Sequence, residues 1–393
     1  EPGDVYVSPG NAGTSNNVDI DISSFEQIRD FCLDKDIELI IVGPEDPLAG
    51  GIVDYFEDSQ IAVFGPHKEA AQLEASKIWA KKFMMRNRVA TADFETFSTA
   101  DDAAEFVARF AGKVVVKYDG LAAGKGVFVC DSEDGAKAAI NEISRRYGAD
   151  AKFIVEERLT GDEISILGFT DGKSISLLLP SQDHKQVFDG DIGPNTGGMG
   201  AFCPVPGLST ETLRKIETQI VNPTMAGLKA EKLGYAGVLY FGVMCTSKGP
   251  RLLEYNVRLG DPETEVLLPA MKSSLGGLVQ ACMEGRLESF PLCFNDGYFV
   301  DVVLTSGGYP NEYDRGYPIF DDGSAQEDAL IFHAGTRRTG DRVVTAGGRV
   351  LNVVCRGESL EQAIRRAYER SSSISFENMF FRTDIGRRIW KTK

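Results

Sequence analysis

Histidine is scarce in this chain, with three in 393 residues, and its seven cysteines never stand in a C-x-x-C pair. The first shortage leaves little for a histidine-rich metal centre. The second, with Cys32, Cys130, Cys203, Cys245, Cys282, Cys293 and Cys355 dispersed and odd in number, argues for reduced thiols over disulfides or zinc. No apolar run is long enough to span a bilayer, and the N-terminus lacks the basic-then-apolar pattern of a signal peptide. A cytoplasmic setting is therefore the default, without membrane partners. Positive charge is also in deficit, 42 Lys plus Arg against 58 Asp plus Glu for a net charge of -16, which disfavours non-specific nucleic-acid binding. Any anionic substrate must be held by local clusters of basic side chains.

What is present is an ordinary globular composition, too long for one core. The periodicity predicts an α/β protein in three parts: a doubly wound parallel sheet over residues 1–66, a larger unit over 67–290 with an inserted subdomain at about 89–158, and a small α/β domain over 291–393. In the first part Val5–Val7, Glu38–Val42 and Ile61–Phe64 read as strands, and Ser24–Lys35 and Gly50–Asp58 as helices. Each strand ends in a glycine-bearing turn, at Pro9–Thr14, Gly43–Asp46 and Gly65–Pro66. Ligands of such sheets bind outside the carboxyl ends of the strands. A domain of this type normally opens with a strand and a glycine-rich turn, and here residue 1 enters at what reads as the second strand, so N-terminal residues are expected to be missing from this record.

Chemistry concentrates at Leu252–Glu265, LLEYNVRLGDPETE. Strand alternation puts Glu254, Asn256 and Arg258 on one face and Leu253, Tyr255 and Val257 in the core. A carboxylate and an amide oxygen two residues apart suit a hard divalent cation whose shell is completed by phosphates, and the arginine can cover further anionic charge. Alone, the pattern is also that of a solvated strand face. Other segments keep it company. Pro66–Arg88 reads as one helix in which Lys77 interrupts an apolar stripe. Lys117–Gly126, KYDGLAAGKG, can bring amides and ammonium groups to phosphates, although Walker A spacing fails. Phe153–Gly161 runs from a buried strand into Glu156 and Glu157. Ser181–Gly200 is a long glycine-rich polar stretch with Asp183, His184 and Lys185, read as a functional loop without regular structure.

Lysine helix, KYDGLAAGKG hairpin, EE-x-L strand end, polar loop and E-x-N-x-R strand follow the order used by ATP-grasp enzymes. SQDHKQVFDGDIGPNTGGMGAFCPVP, EYNVRLGDPETEVLLP, PGNAGT, VGPEDPLAGG and FHAGT resemble the phosphoribosylamine-glycine ligase family, from residue 3 to about Ile389. The resemblance implies a central ATP-grasp domain with a mobile lid. It also implies ligation of glycine to 5-phosphoribosylamine through glycyl phosphate, using ATP with Mg2+ or Mn2+, in a monomer or weak homodimer. Lys77 and Lys117 match ATP-phosphate contacts, with Gly124, Lys125 and Gly126 closing over them. Glu156, Glu157 and the Leu159 backbone match the adenine hinge, Glu163 the ribose carboxylate, Glu254 and Asn256 the metal ligands. Arg258 matches the group that stabilises the acyl phosphate. Asn11, Gly13 and Glu45, with Asp183, His184 and Lys185, match the phosphoribosylamine site, and Asp261 and Glu263 are expected to orient either the amine or glycine. The ending at Lys393 leads to the expectation of a monofunctional form. Two rivals are a grasp ligase for another carboxylate and a nucleotide-binding protein without turnover; the polar loop and GDPE run oppose the first, the full metal and lysine set the second.

Overall fold

The computed structural model describes residues 4–122, 126–323 and 329–387. Its centre is the antiparallel run of three long or edge-forming strands, Asp162–Thr170, Tyr235–Thr246 and Gly249–Asn256. Tyr235–Thr246 is apolar on both faces, which fits its place between two neighbours: it pairs with Asp162–Thr170 on one side and with Gly249–Asn256 on the other. The N-terminal strands Leu39–Ile41 and Ala62–Pro66 are parallel to each other, and the second joins this same sheet antiparallel through Tyr235 and Ala236. The sheet is thus mixed, and it crosses the boundary expected at 66. Val5–Val7 makes only an isolated bridge, Val7 to Asn17.

The inserted subdomain is a four-stranded antiparallel sheet, in the order 94–97, 153–157, 114–118, 127–129. Helices Ala100–Arg109 and Glu133–Tyr147 cover one face. Phe106, Val114, Val116, Ile140, Ile143, Phe153 and Val155 bury a core of its own there, so the subdomain can hold its shape independently of the body. Its other face carries Lys117, Ile154 and Glu156 toward the central sheet.

The third sheet runs 330–333, 349–357, 298–306, 200–203, 182–183. Its last strand lies within the polar stretch Ser181–Gly200 and the one before it begins at Gly200, so the stretch is not the structureless loop expected: it also forms the hairpin of Gln186–Phe188 with Ile192–Asn195. Arg382, 1% exposed, fixes that hairpin by bonding the Gln186 carbonyl at 2.9 Å and Asp191 at 3.0 Å. Asp189 accepts from the Thr383 amide at 2.8 Å. Those aspartates serve folding of the loop.

Two helices are shorter than their periodicity predicts. Pro66–Arg88 is a strand end followed by Gln72–Ala75 and Lys77–Arg86, broken at Ser76, whose backbone is extended. The Ser76 hydroxyl caps the second helix through the Trp79 amide at 3.0 Å and donates to Asp119 at 2.9 Å; an N-cap this well satisfied outweighs continuing the helix. The predicted helix Thr264–Met283 likewise divides into Glu263–Ala270 and Leu275–Met283, with Ser274 capping the latter.

Candidate active site

A cleft of about 840 Å³ lies between the inserted subdomain, the central sheet and the Arg258–Glu265 turn. A second hollow of about 810 Å³, behind the 88–94 connection, holds none of the sequence-predicted site residues. The first, which gathers those residues, is the candidate site.

The strand Gly249–Asn256 sets the geometry. Its pairing with Tyr235–Thr246 slips one residue, Gly242 facing Glu254 and Val243 facing Leu252, so Leu253 is the extra residue of a β-bulge. The strict alternation expected here is thereby corrected at one residue: Leu252, Tyr255 and Val257 are buried, while Leu253 joins Glu254, Asn256 and Arg258 in lining the cleft. Leu253 also offers its carbonyl to the Lys117 ammonium at 3.3 Å.

Lysines crowd one end. Lys117 and Lys81 flank Glu156 at 3.1 and 3.2 Å, all three almost fully buried; the Lys81 contact is an ion pair without aligned hydrogen-bond geometry at that oxygen. Lys81 further donates to Thr91 at 2.6 Å, and Thr91 to the Leu252 carbonyl at 2.6 Å, which ties the subdomain's entry to the strand Gly249–Asn256. Lys77 donates to the Gly120 carbonyl at 3.1 Å. Lys185 reaches Asp183 at 2.9 Å and Glu163 at 3.5 Å. Burial draws the Lys81 ammonium down to about 8, with Lys117 opposing and Glu156 supporting its charge. Burial alone would raise the Glu254 carboxyl, but Lys117, Lys77, Lys185 and Lys81 outweigh it and hold Glu254 ionised.

Carboxylates crowd the other end. Arg258 donates through Nε to Glu45 at 2.9 Å and lies 3.1 Å from Glu74. Glu74 also accepts the Val257 amide at 2.8 Å; burial pushes it up to about 7 despite Arg258. Glu263 is 2% exposed and accepts from Ser165 at 2.9 Å and Tyr240 at 2.7 Å. Arg349, from the third sheet, pairs with Asp261 at 2.8 Å and donates to the Gly197 carbonyl at 2.7 Å, so one guanidinium staples the polar loop to the GDPE turn. Gly198 allows that approach: with φ +119°, a Cβ there would sit 2.3 Å from Pro262.

The cleft therefore gathers Glu45, Lys77, Lys117, Gly126, Glu157, Leu159, Glu163, Asp183, Lys185, Glu254, Asn256, Arg258, Asp261 and Glu263 from the sequence-predicted set. Glu156 is also there, but its carboxylate is engaged by two lysines and is not free to face a base. Three do not join. His184 is 4% exposed, lies against Phe202 and has the Gly386 amide 3.4 Å from Nε2; alternation along Gln182–Lys185 turns it from the cleft side that Asp183 and Lys185 share. Asn11 and Gly13 meet the third sheet instead, Asn11 donating to the His333 carbonyl at 2.6 Å and Gly13 packed on the His333 ring. Gly124 and Lys125 lie outside the described residues. Lys81, Glu74, Glu265 and Arg349 were missed; Lys81 sat one turn beyond Lys77 on the same helix and was a detectable signal, whereas Arg349 comes from a distant strand.

Among the described residues no group of three or more His, Cys, Asp or Glu forms a metal site. Glu254 and Asn256 nevertheless fit Mg2+, as one ionised carboxylate and one amide oxygen on a common edge, because such a cation keeps phosphate and water ligands. Neither side chain is committed to a hydrogen bond or ion pair among the described residues, in contrast to Glu263, which is hydrogen-bonded, and Glu156, which is ion-paired.

Three family models cover the chain. Residues 1–74 match the phosphoribosylglycinamide synthetase N domain, 75–264 its ATP-grasp (A) domain and 299–388 its C domain. The chain is 45% identical to the phosphoribosylamine–glycine ligase of Rhodopirellula baltica, over 99% of this chain and 92% of that protein. It is 43% identical to the bifunctional purine biosynthetic protein ADE1 of Schizosaccharomyces pombe, spanning 99% of this chain but 51% of that one. The crystal structure of the Thermotoga maritima phosphoribosylamine–glycine ligase superposes with a TM-score of 0.83 at 36% identity, covering 96% of this chain and 92% of that chain. With all three domains matched in order and close relatives aligned end to end, the chain belongs to the phosphoribosylamine–glycine ligase (phosphoribosylglycinamide synthetase) family, an ATP-grasp ligase family of purine biosynthesis.

Proposed function

We propose that the chain joins glycine to 5-phosphoribosylamine at the expense of ATP, through glycyl phosphate, giving glycinamide ribonucleotide, ADP and phosphate. The observation that carries this reading is the division of one cleft into a lysine end around Glu254 and Asn256 and a carboxylate end around Arg258. A carboxylate is a poor acylating agent, since its leaving group would be an oxide; transfer of the γ-phosphoryl group gives it a better one, and the amine then displaces phosphate.

In this reading Lys77, Lys117 and Lys185 neutralise the polyphosphate, and the strand end Glu157–Leu159 with Glu163 holds the nucleoside. Mg2+ (or Mn2+), when bound at Glu254 and Asn256, supplies charge stabilisation to the transferring phosphoryl group. Arg258 exchanges Glu45 and Glu74 for the acyl phosphate, and the two released carboxylates face the incoming amine. Asp261 and Glu263 orient amino groups. The Asn11–Gly13 turn, joined to His333 and Thr336, serves phosphoribosylamine from outside the cleft, across the sheet edge. The inserted subdomain acts as the lid. One chain contains the whole cleft, which supports a monomer or weak homodimer, and seven free thiols support a cytoplasmic enzyme.

The direct test measures ADP release with Mg2+ while glycine and phosphoribosylamine are added separately and together. Release requiring both is expected; release independent of glycine would replace this reading with a ligase for a different carboxylate.

A further inference from the structure

The helix Lys77–Arg86 belongs to the central unit: Ala80, Phe83 and Met84 are buried in its core, and Phe83 meets the Tyr255 ring edge-on at 6.2 Å. Its first turn, however, is completed from the inserted subdomain. Ser76 Oγ accepts the Trp79 amide at 3.0 Å and donates to Asp119 Oδ1 at 2.9 Å. The Ile78 amide donates to the same Asp119 oxygen at 3.0 Å. Two of the amides that a helix N-terminus leaves without intrahelical partners are thus satisfied, one by the adjoining serine and one by a carboxylate forty-one residues away. A carboxylate also suits the positive end of the helix dipole.

Asp119 is held firmly on its own side. It follows the strand Val114–Tyr118, its amide donates to the Lys152 carbonyl at 3.0 Å, and the neighbouring Tyr118 ring stacks on Tyr147 with centroids 3.8 Å apart. The next residue makes a second link between the units, Lys77 donating to the Gly120 carbonyl at 3.1 Å. A side chain at Gly120 has no room, since a Cβ would sit 2.7 Å from the Tyr118 ring. Lys77 adjoins Ser76, and Lys117 precedes Asp119 by two residues. Those two lysines line the cleft, one from each unit, whereas Asp119 does not.

We propose that Asp119 is a positioning residue for phosphoryl transfer: by capping the helix Lys77–Arg86 across the two units, it fixes the spacing at which Lys77 and Lys117 meet one polyphosphate. The inference rests on the ATP-dependent reading above and adds a residue that touches no substrate. Lys77 gives one of its three donors to Gly120 and keeps two for phosphate oxygens, so the carbonyl aims the ammonium. Both Asp119 bonds end on Oδ1. The role therefore depends on where that oxygen stands and not on charge, and asparagine caps helices about as well as aspartate.

Steady-state kinetics with Mg2+ and saturating glycine and phosphoribosylamine separate position from charge. Asp119→Asn keeps the oxygen and should leave the ATP KM within about threefold of wild type. Asp119→Glu keeps the charge but carries its oxygens one methylene further. It should raise the ATP KM about tenfold or more, as for a misplaced positioning group, with the glycine KM at saturating ATP unchanged, and Asp119→Ala should match it. Loss in the asparagine variant with retention in the glutamate variant would make Asp119 a source of charge and overturn the proposal, as would an unchanged ATP KM in all three. Equal rises in the ATP and glycine KM would mark a general loosening of the fold and overturn it too. Ser76→Ala, alone and combined with Asp119→Ala, then tests the contact itself: less-than-additive effects on the ATP KM are expected, and strict additivity would show that the two residues act apart, against the proposal. Were the ATP-dependent reading wrong, the wild type itself would show no ATP-saturable release of ADP, an outcome distinct from every comparison among variants.

Discussion

At one end of the cleft Lys77, Lys81, Lys117 and Lys185 surround Glu156 and Glu254; at the other Glu45, Glu74, Asp261, Glu263 and Glu265 surround Arg258 and Arg349. The same burial acts on both, yet with opposite results. At the lysine end, cations outnumber the buried carboxylates and keep Glu254 charged. At the carboxylate end acids outnumber the arginines, and burial leaves Glu74 and Glu265 poised to hold protons near neutral pH. The difference matches what each end is proposed to receive, polyphosphate with its metal in one case and amino groups in the other. It also means that the chain's acidic balance hides a local reversal of sign, because the four lysines are gathered by folding from three separate segments.

The sharpest way to break the comparison is to remove Glu254, whose charge the lysine end favours. Glu254→Ala should lower turnover by about 10²-fold or more, as when charge stabilisation is lost at a transferring group, with circular dichroism and the melting temperature close to wild type. Rates near wild type at saturating Mg2+ would take Glu254 out of the site. Next in size is the single cation at the junction of the two ends. Arg258 bonds Glu45 through Nε and approaches Glu74 through Nη2, a two-directional use of the fork that an ammonium cannot copy. Arg258→Lys should therefore cost roughly tenfold or more in kcat/KM despite the retained charge, and kinetics equal to wild type would remove Arg258 from the mechanism.

Much of this was legible before any coordinates. The spacing of Glu254, Asn256 and Arg258 placed them together because a two-residue period survives local distortion, but the bulge at Leu253 could not be seen, since both a bulged and a regular strand present the same apolar letters. The break at Ser76 escaped for a related reason: the helical period runs through it, and only the Asp119 contact, from a segment forty-three residues away, makes the cap worth more than the missing turn. His184 stands between two residues that do face the cleft, and its outward turn follows from pairing with the third sheet, a partner whose strands are remote in sequence. Arg349 belongs to that same sheet. Contacts between distant strands leave no periodic trace, so the carboxylate end was legible only in Glu45, Arg258 and its GDPE portion.

A third prediction sharpens the comparison through stability. Lys81 is 2% exposed and pairs with Glu156, which keeps Lys117 as a second partner. Lys81→Met should thus destabilise by about 1–2 kcal/mol in urea unfolding, less than the 3–5 typical of breaking a buried pair outright, and should raise the ATP KM through Lys117. A larger ATP effect than stability effect would mean that Lys81 itself touches nucleotide.

The smallest effect concerns pH and tests the carboxylate end. Glu74 has a folded value of about 7 against an ordinary 4.5, raised chiefly by burial with Arg258 opposing. Between those values the folded chain holds a proton that the unfolded chain gives up. Stability attributable to Glu74 is therefore greatest below about pH 4.5, falls as pH rises to about 7, and is flat beyond. Glu265, Asp261 and Glu263, also raised by burial, add slopes of the same sign, so the informative quantity is a difference between proteins. Glu74→Gln keeps an acceptor for the Val257 amide but carries no titrating group, and its stability curve should lose part of the decline between pH 5 and 7 while matching wild type in slope above 7.5. Parallel curves across the whole range would show that Arg258 already holds Glu74 ionised, and would move the boundary between the two ends of the cleft to the far side of that arginine.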